Sequence, residues 1–171
     1  MIAYAITDLT DFSIEADMIV YRDKQNANYA SDAEKFIKQA KKLSFSKILL
    51  HTDYKLAHDL QVEGIHLISS QLNDIEKSKA LGLFVIISTH TPSEAKEAER
   101  LGADMITFSP IFSTPNKGEP KGVEMLKKLS SILFIPVIAL GGIITEEHIK
   151  LCKKNGAKGF ASIRFFKEII L

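Results

Sequence analysis

The stretch LFVIISTHTPSEAKEAERLGADMITF (83–108) decides the fold, because it holds a strand, a helix and a second strand in succession. Its two ends, LFVIIS (83–88) and DMITF (104–108), are short apolar runs typical of strands buried on both faces of a parallel sheet. Between them, Thr91-Pro92-Ser93-Glu94 is a helix-start signal, with proline at the first helical position. The following alanines recur with helical spacing.

The same alternation extends along the whole chain. The other apolar runs are IAYAIT (2–7), MIVY (18–21), KILL (47–50), GIHL (64–67), IPVIAL (135–140) and KGFAS (158–162). Ser31 with Glu34 forms a capping box for one predicted helix, and Thr145 caps another that ends near Asn155-Gly156. Further helical patterns cover residues 54–61, 72–80, 123–129 and 163–170.

Eight strands alternating with helices predict a compact α/β fold, the (β/α)8 TIM barrel, with an open doubly wound sheet as the alternative. Residues 8–17 are too few for a full crossover helix, so the first one is predicted to be shortened or missing. We expect one TIM-barrel domain over 1–171. Apolar surface around Phe12 and Ile14 would then be exposed, and a homodimer could cover it.

Composition excludes several classes of protein. The chain has 171 residues, of which 46% are hydrophobic and 25% charged, and its net charge is +1. These values are typical of a globular protein and do not favour disorder, a nucleic-acid partner or an anionic membrane. No apolar run approaches a membrane span, and the start lacks a secretory signal, so we expect a cytoplasmic protein. The single cysteine, Cys152, excludes an internal disulfide and is interpreted as a packing residue.

Polar residues follow the predicted strands, where a barrel carries its chemistry. Arg22 and Lys24, at the end of the second strand, project to the same side and would converge on an anion. Lys117, in the loop after the sixth strand, could contact the same anion. Gly141-Gly142, after the seventh strand, allows backbone N–H groups to approach a phosphate closely. We expect a larger residue at Gly142 to weaken ligand binding and leave folding largely intact. The plainer alternatives are solvent-exposed strand and loop ends and a tight turn.

Three histidines lie at strand ends. His51, His66 and His90, with Asp53, could form a metal site, but no HxH or HExxH spacing supports one. A neutral histidine acting as general acid and base is the more economical interpretation.

At these residues the sequence resembles the thiamine phosphate synthase/TenI superfamily of small barrels. The similarity runs in order over nearly the whole chain. The matching stretches are YAITD (4–8), VYRDK (20–24), LLHTDYKLA (49–57), GIHL (64–67), STHTPSEA (88–95), LGADMITFSPIFSTPNK (101–117), PVIALGGI (136–143) and GAKGFASI (156–163).

In its synthase branch, the family joins a hydroxymethylpyrimidine diphosphate to a thiazole phosphate and releases diphosphate with magnesium. The resemblance assigns the diphosphate to Arg22 and Lys24, although the family's preceding glutamine is Val20 here. The family's Asn-Asp pair becomes Thr52-Asp53, which leaves Asp53 as the magnesium ligand of a synthase. The second magnesium aspartate becomes Gln71.

These departures favour the TenI branch, whose thiazole tautomerases move a proton on a phosphorylated thiazole without a metal. The sequence therefore predicts an isomerase with no cofactor. The alternatives are thiamine phosphate synthase, a transferase using Mg, and a catalytically silent regulator that binds a phosphate ligand. His90 and Ser88 are the predicted catalytic residues, and Thr52 and His66 the pyrimidine-side pocket. The predicted substrate and phosphate ligands are Arg22, Lys24, Thr114, Lys117, Gly141, Gly142, Ser162 and Arg164.

Overall fold

Eight parallel strands close into a barrel in which spatial order follows chain order. The computed structural model describes residues 1–167, and β8 pairs with β1 to complete the ring. The strands are β1 (Ile2–Thr7), β2 (Met18–Tyr21), β3 (Lys47–His51), β4 (Gly64–Leu67), β5 (Phe84–Thr89), β6 (Met105–Phe108), β7 (Val137–Leu140) and β8 (Gly159–Ser162). The predicted TIM barrel is confirmed, and the open sheet is excluded.

Helices follow most strands and form the outer layer. They are α1 (Tyr29–Ala40), α2 (Tyr54–Asp59), α3 (Ile75–Ala80), α4 (Pro92–Arg100), α5 (Gly122–Ile132), α6 (Glu146–Lys154) and α7 (Arg164–Lys167), with a 3₁₀ segment, Ser69–Asp74, before α3. The part of the last predicted helix beyond Lys167 lies outside the described residues. Thr91 and Thr145 cap α4 and α6 as predicted, each accepting a backbone N–H.

The predicted start of α1 is wrong. The helix begins at Tyr29, and its N-cap is Asn28, so Ser31 lies inside the first turn. Tyr29 stacks on the ring of Tyr21, with centroids 5.0 Å apart, and donates its hydroxyl to the Tyr21 carbonyl. Because Tyr29 is fixed against β2 by these contacts, the helix begins there, two residues before Ser31.

The two sides of each strand face different environments, because side chains alternate across a strand. One core fills the barrel interior, around Tyr4, Leu49 and Ile138. A larger one lies between the strands and the helices. On β2 and β5 the inward series continues past the strand end, which brings Arg22, Lys24 and His90 above the interior core.

The segment 8–17 contains no helix, as predicted, but it does not leave the barrel uncovered. Phe12 and Ile14 are 5% and 6% exposed. The Phe12 ring lies 5.4 Å from that of Phe36 on α1, and Gln39 donates to the Phe12 carbonyl. The expected exposed surface is therefore wrong, because this loop replaces the helix with its own side chains. The argument for a homodimer falls with it.

Cys152 is buried, and burial raises the pKa of its thiol to about 11, in agreement with a packing role. Within residues 1–167, no helix has both the length and the apolar character needed to cross a membrane.

Candidate functional site

A cavity of about 510 Å³ opens at the carboxyl ends of the strands. That volume suits a small organic ligand, for which sites of about 300–1,000 Å³ are usual. Most of the predicted site residues line this cavity. They are Arg22, Lys24, His66, Ser88, His90, Thr114, Lys117, Gly141, Gly142, Ser162 and Arg164. The sequence prediction of a single shared site agrees with this placement, while the role of each residue stays a prediction.

Three cations converge on one side of the cavity. The charge of Arg22 lowers the pKa of Lys24, with smaller contributions from burial and from Lys117. Burial also lowers the pKa of Arg22, and Asp8 partly offsets this. Among the described residues, none of the three cations forms an ion pair. Mutually repelling cations that form no ion pair with a protein carboxylate make a site for a polyvalent anion.

The glycine pair forms a second side of the cavity. Gly141 and Gly142 have φ angles of +97° and +68°, which favour glycine. A Cβ on Gly142 would lie 2.6 Å from the Ser113 carbonyl oxygen and 2.7 Å from the Phe112 Cβ. A larger residue there would therefore displace the loop after β6. The expectation that such a change leaves the fold largely intact is wrong.

Two hydroxyls that line the cavity are engaged by the backbone. Ser162 Oγ donates to the Ile143 carbonyl at 2.8 Å and accepts from Phe165 N at 3.1 Å. Thr114 Oγ1 donates to the Phe112 carbonyl at 3.0 Å. The Ser162 bond joins the end of β8 to the loop after β7, and the Thr114 bond closes a turn within the loop after β6. Arg164 lies next to them at the start of α7, where its side chain is exposed.

His90 is held by both its backbone and its ring. Its N–H donates to Glu94 Oε2 at 2.7 Å, and its Nδ1 lies 3.0 Å from the Ser109 carbonyl oxygen. A carbonyl only accepts, so Nδ1 carries a proton, and in the neutral tautomer the lone pair is on Nε2. Within residues 1–167 Nε2 has no hydrogen-bond partner. The ring is thus oriented to accept or return a proton.

The neighbouring strands β3 and β4 carry two buried histidines that line the cavity. Burial lowers the pKa of His66 to about 3, and the charges of His51 and Arg22 contribute. Burial, with Arg22 and Lys24, lowers the pKa of His51 to about 4. Both imidazoles are therefore neutral at pH 7. The two histidines therefore add no positive charge to that of Arg22, Lys24 and Lys117.

His66 also belongs to a chain of hydrogen bonds. Its Nδ1 lies 2.9 Å from the Tyr4 hydroxyl, and its Nε2 lies 3.0 Å from Ser88 Oγ. Tyr4 is fully buried beneath the cavity, whereas Ser88 lines it.

Thr52 and Asp53 lie outside the cavity lining. Thr52 Oγ1 donates to the His51 carbonyl at 2.7 Å, so its hydroxyl is used within the backbone turn. Asp53 Oδ1 accepts from Leu56 N at 2.9 Å as the N-cap of α2. The placement of Thr52 in a pyrimidine-side pocket is therefore wrong, because its hydroxyl is turned toward the backbone.

The two residues expected to hold magnesium, Asp53 and Gln71, both form hydrogen bonds within turns. Gln71 Oε1 accepts from Ile68 N at 3.1 Å, and its Nε2 donates to the Thr52 carbonyl at 3.0 Å. It closes a turn where a synthase would supply a carboxylate. Asp53 remains as the one carboxylate and it caps α2, so a magnesium ion here would take most of its octahedral oxygens from substrate phosphates and water. In the described part of the chain, no three His, Cys, Asp or Glu residues could share a metal.

Sequence reasoning missed two residues of this site. Tyr4 is assigned only to a strand and a family-matching stretch, and Ser109 only to a family-matching stretch. The alternation of inward positions on β1 was the available signal for Tyr4, since it aligns this phenol with the interior core. No comparable signal existed for the Ser109 carbonyl, because its position depends on how the loop after β6 folds.

The chain is similar to several known proteins. Residues 8–166 match the family described as thiamine monophosphate synthase. The chain is 36% identical over 150 residues to "Putative thiamine-phosphate synthase 2" of Aquifex aeolicus, a match covering 86% of this chain and 78% of that one. It is 34% identical over 125 residues to a thiamine-phosphate synthase of Syntrophomonas wolfei, covering 68% of this chain and 57% of that one.

Among solved structures, a thiamine phosphate pyrophosphorylase from Pyrococcus furiosus superposes with a TM-score of 0.79. The superposition covers 94% of this chain and 84% of that one, at 24% identity. A likeness at this level of identity shows the shared barrel.

Proposed function

Because the chain belongs to the thiamine monophosphate synthase family, we propose that it joins a hydroxymethylpyrimidine diphosphate to a thiazole phosphate. Family membership confirms the resemblance of the motifs and supports a role in thiamine biosynthesis. The relatives' names favour this coupling, a transferase reaction, over the tautomerisation predicted from the sequence.

The observation that carries the proposal is the convergence of Arg22, Lys24 and Lys117. A diphosphate brings enough negative charge to relieve the mutual repulsion of three cations, whereas a single carboxylate does not. In the coupling, the thiazole nitrogen attacks the methylene carbon of the pyrimidine. The bond from that carbon to the diphosphate oxygen breaks, and its electron pair leaves with the diphosphate. The cations stabilise the charge that develops on this oxygen.

The second anion site supports a two-substrate reaction. Backbone N–H groups at Gly141-Gly142 suit the single phosphate of the thiazole, with Arg164 beside them. One cavity thus has a cationic side for the departing diphosphate and a glycine side for the retained phosphate. No step is assigned to a metal.

A specific observation keeps the tautomerase as a second candidate. His90 has its Nδ1 held by the Ser109 carbonyl, which leaves Nε2 as the base that moving a proton between ring positions requires. His90→Asn would then lower tautomerisation by about 10²–10⁴-fold with little change in substrate affinity.

The test is to incubate the purified protein with both substrates, with and without magnesium, and to measure released diphosphate. Lys24→Gln should lower the affinity for the pyrimidine diphosphate by about 10-fold or more, because a charged hydrogen bond contributes about 1.5–3 kcal/mol to binding. Lys38→Gln, on the exposed surface of α1, is the matched control. Tautomerisation without diphosphate release would overturn the proposal in favour of the second candidate. Neither activity, with a phosphate ligand still bound, would indicate the silent binder.

A further inference from the structure

The chain of hydrogen bonds from Tyr4 through His66 to Ser88 has a direction that the structure determines. The Tyr4 hydroxyl is 0% exposed, and in residues 1–167 its only partner is His66 Nδ1, at 2.9 Å. A buried hydroxyl that gave its proton to no acceptor would lose its hydrogen bonds to water without replacement. Tyr4 therefore donates, and Nδ1 accepts.

This direction decides the tautomer of His66. A neutral imidazole carries one proton, so an accepting Nδ1 places that proton on Nε2. Nε2 then donates to Ser88 Oγ across 3.0 Å. Ser88 Oγ uses a lone pair for this bond and keeps its own proton. Within the described residues that proton has no acceptor, and Ser88 lines the cavity.

We propose that Tyr4 and His66 are positioning residues that make Ser88 a hydrogen-bond donor toward the ligand. The ligand atom facing Ser88 is then an acceptor, such as a ring nitrogen or a phosphate oxygen. This positioning role rests on the proposed function only in the ligand used to test it. It assigns a role to Tyr4, which lies outside the cavity and acts through two other side chains.

Packing alone gives a poorer account of the pair. The apolar side chains that share the barrel interior with Tyr4 include Ile6, Leu49 and Ile138. The phenol of Tyr4 and the imidazole of His66 form a hydrogen bond to each other, whereas two apolar side chains could fill the same space without one. Their stacked rings, with centroids 5.7 Å apart, hold both polar atoms in line.

The direct test is ¹⁵N NMR of the histidine side chains in the ligand-free protein. We expect His66 to be protonated at Nε2 and unprotonated at Nδ1 in the wild type and in Ser88→Ala. In Tyr4→Phe the Nδ1 loses its donor, so the Nδ1–H form should gain population. A wild-type His66 protonated at Nδ1 would overturn the proposal. The tautomer needs no ligand, so this test stands even if the protein releases no diphosphate.

The affinity for thiamine phosphate, measured by titration calorimetry, gives a second readout. Tyr4→Phe should weaken binding about three- to ten-fold, the range for one neutral hydrogen bond. In a Ser88→Ala background the same change should have no further effect, because the donor is already gone. An equal loss in both backgrounds would show that Tyr4 does not act through Ser88.

Tyr21→Phe is the matched control. Tyr21 is also buried, but its hydroxyl accepts from Asn26 Nδ2 at 3.1 Å, away from the cavity. Its loss should leave the affinity unchanged. Weakening as large as that of Tyr4→Phe would indicate a general effect of removing a core hydroxyl and would refute the positioning role.

Discussion

Acid should destabilise this protein through His66, and the change His66→Gln isolates the effect. The folded pKa of His66 is about 3, lowered first by burial, whereas an unfolded histidine titrates near 6.5. Between these values the unfolded chain binds a proton that the folded chain refuses. Stability therefore falls as the pH drops below about 6.5 and continues to fall until the folded pKa is reached.

The magnitude follows from the two pKa values. Between pH 7 and pH 5 a histidine with these values loses about 2 kcal/mol of unfolding free energy, since each full proton changes it by about 1.4 kcal/mol per pH unit. The same loss follows for any folded pKa below about 4. His51, with a pKa of about 4, contributes a similar amount and stays in the variant as an internal reference.

The assay is urea unfolding of the wild type and of His66→Gln at pH 8, 7 and 5. For each protein we compare its unfolding free energy at one pH with that at another. The pH-independent stability that the substitution itself costs cancels in this difference. We expect the two proteins to change in parallel between pH 8 and 7, and the variant to lose about 2 kcal/mol less between pH 7 and 5. Equal losses for the two proteins over the lower interval would refute a neutral buried His66.

Three further predictions concern the cap, the loop and the glycine turn. Asp53→Ala should lower stability by about 1 kcal/mol, the usual contribution of an N-cap, and leave the magnesium response of diphosphate release unchanged; loss of that response would restore Asp53 as a metal ligand. Phe12→Ala should destabilise by about 3–5 kcal/mol in chemical unfolding, since its buried ring fills the place of a helix; a loss under 1 kcal/mol would contradict this. Gly142→Ala should lower both the melting temperature and the affinity for thiamine phosphate, because its Cβ meets the backbone after β6. A variant with weakened binding and an unchanged melting temperature would show that the loop adapts freely.

The sequence by itself determined the barrel, because hydrophobic periodicity is local and each element carries its own signal. The apolar runs marked all eight strands, and Thr91 and Thr145 began their helices where predicted. The residues at the strand ends, such as Arg22 and His90, were found by the same reasoning, since parallel strands bring their carboxyl ends to one edge. Family membership followed from the order of the motifs.

Only the tertiary structure decided what each polar group is bonded to. The aspartate and glutamine spacing does not show what these side chains are bonded to, and the structure shows that Asp53 and Gln71 each hold a turn. Burial of Phe12 depended on a contact with α1 that no local pattern contains. The direction of the Tyr4–His66–Ser88 chain is likewise nonlocal, because it follows from side chains on β1, β4 and β5, and β1 meets the other two strands only across the barrel interior.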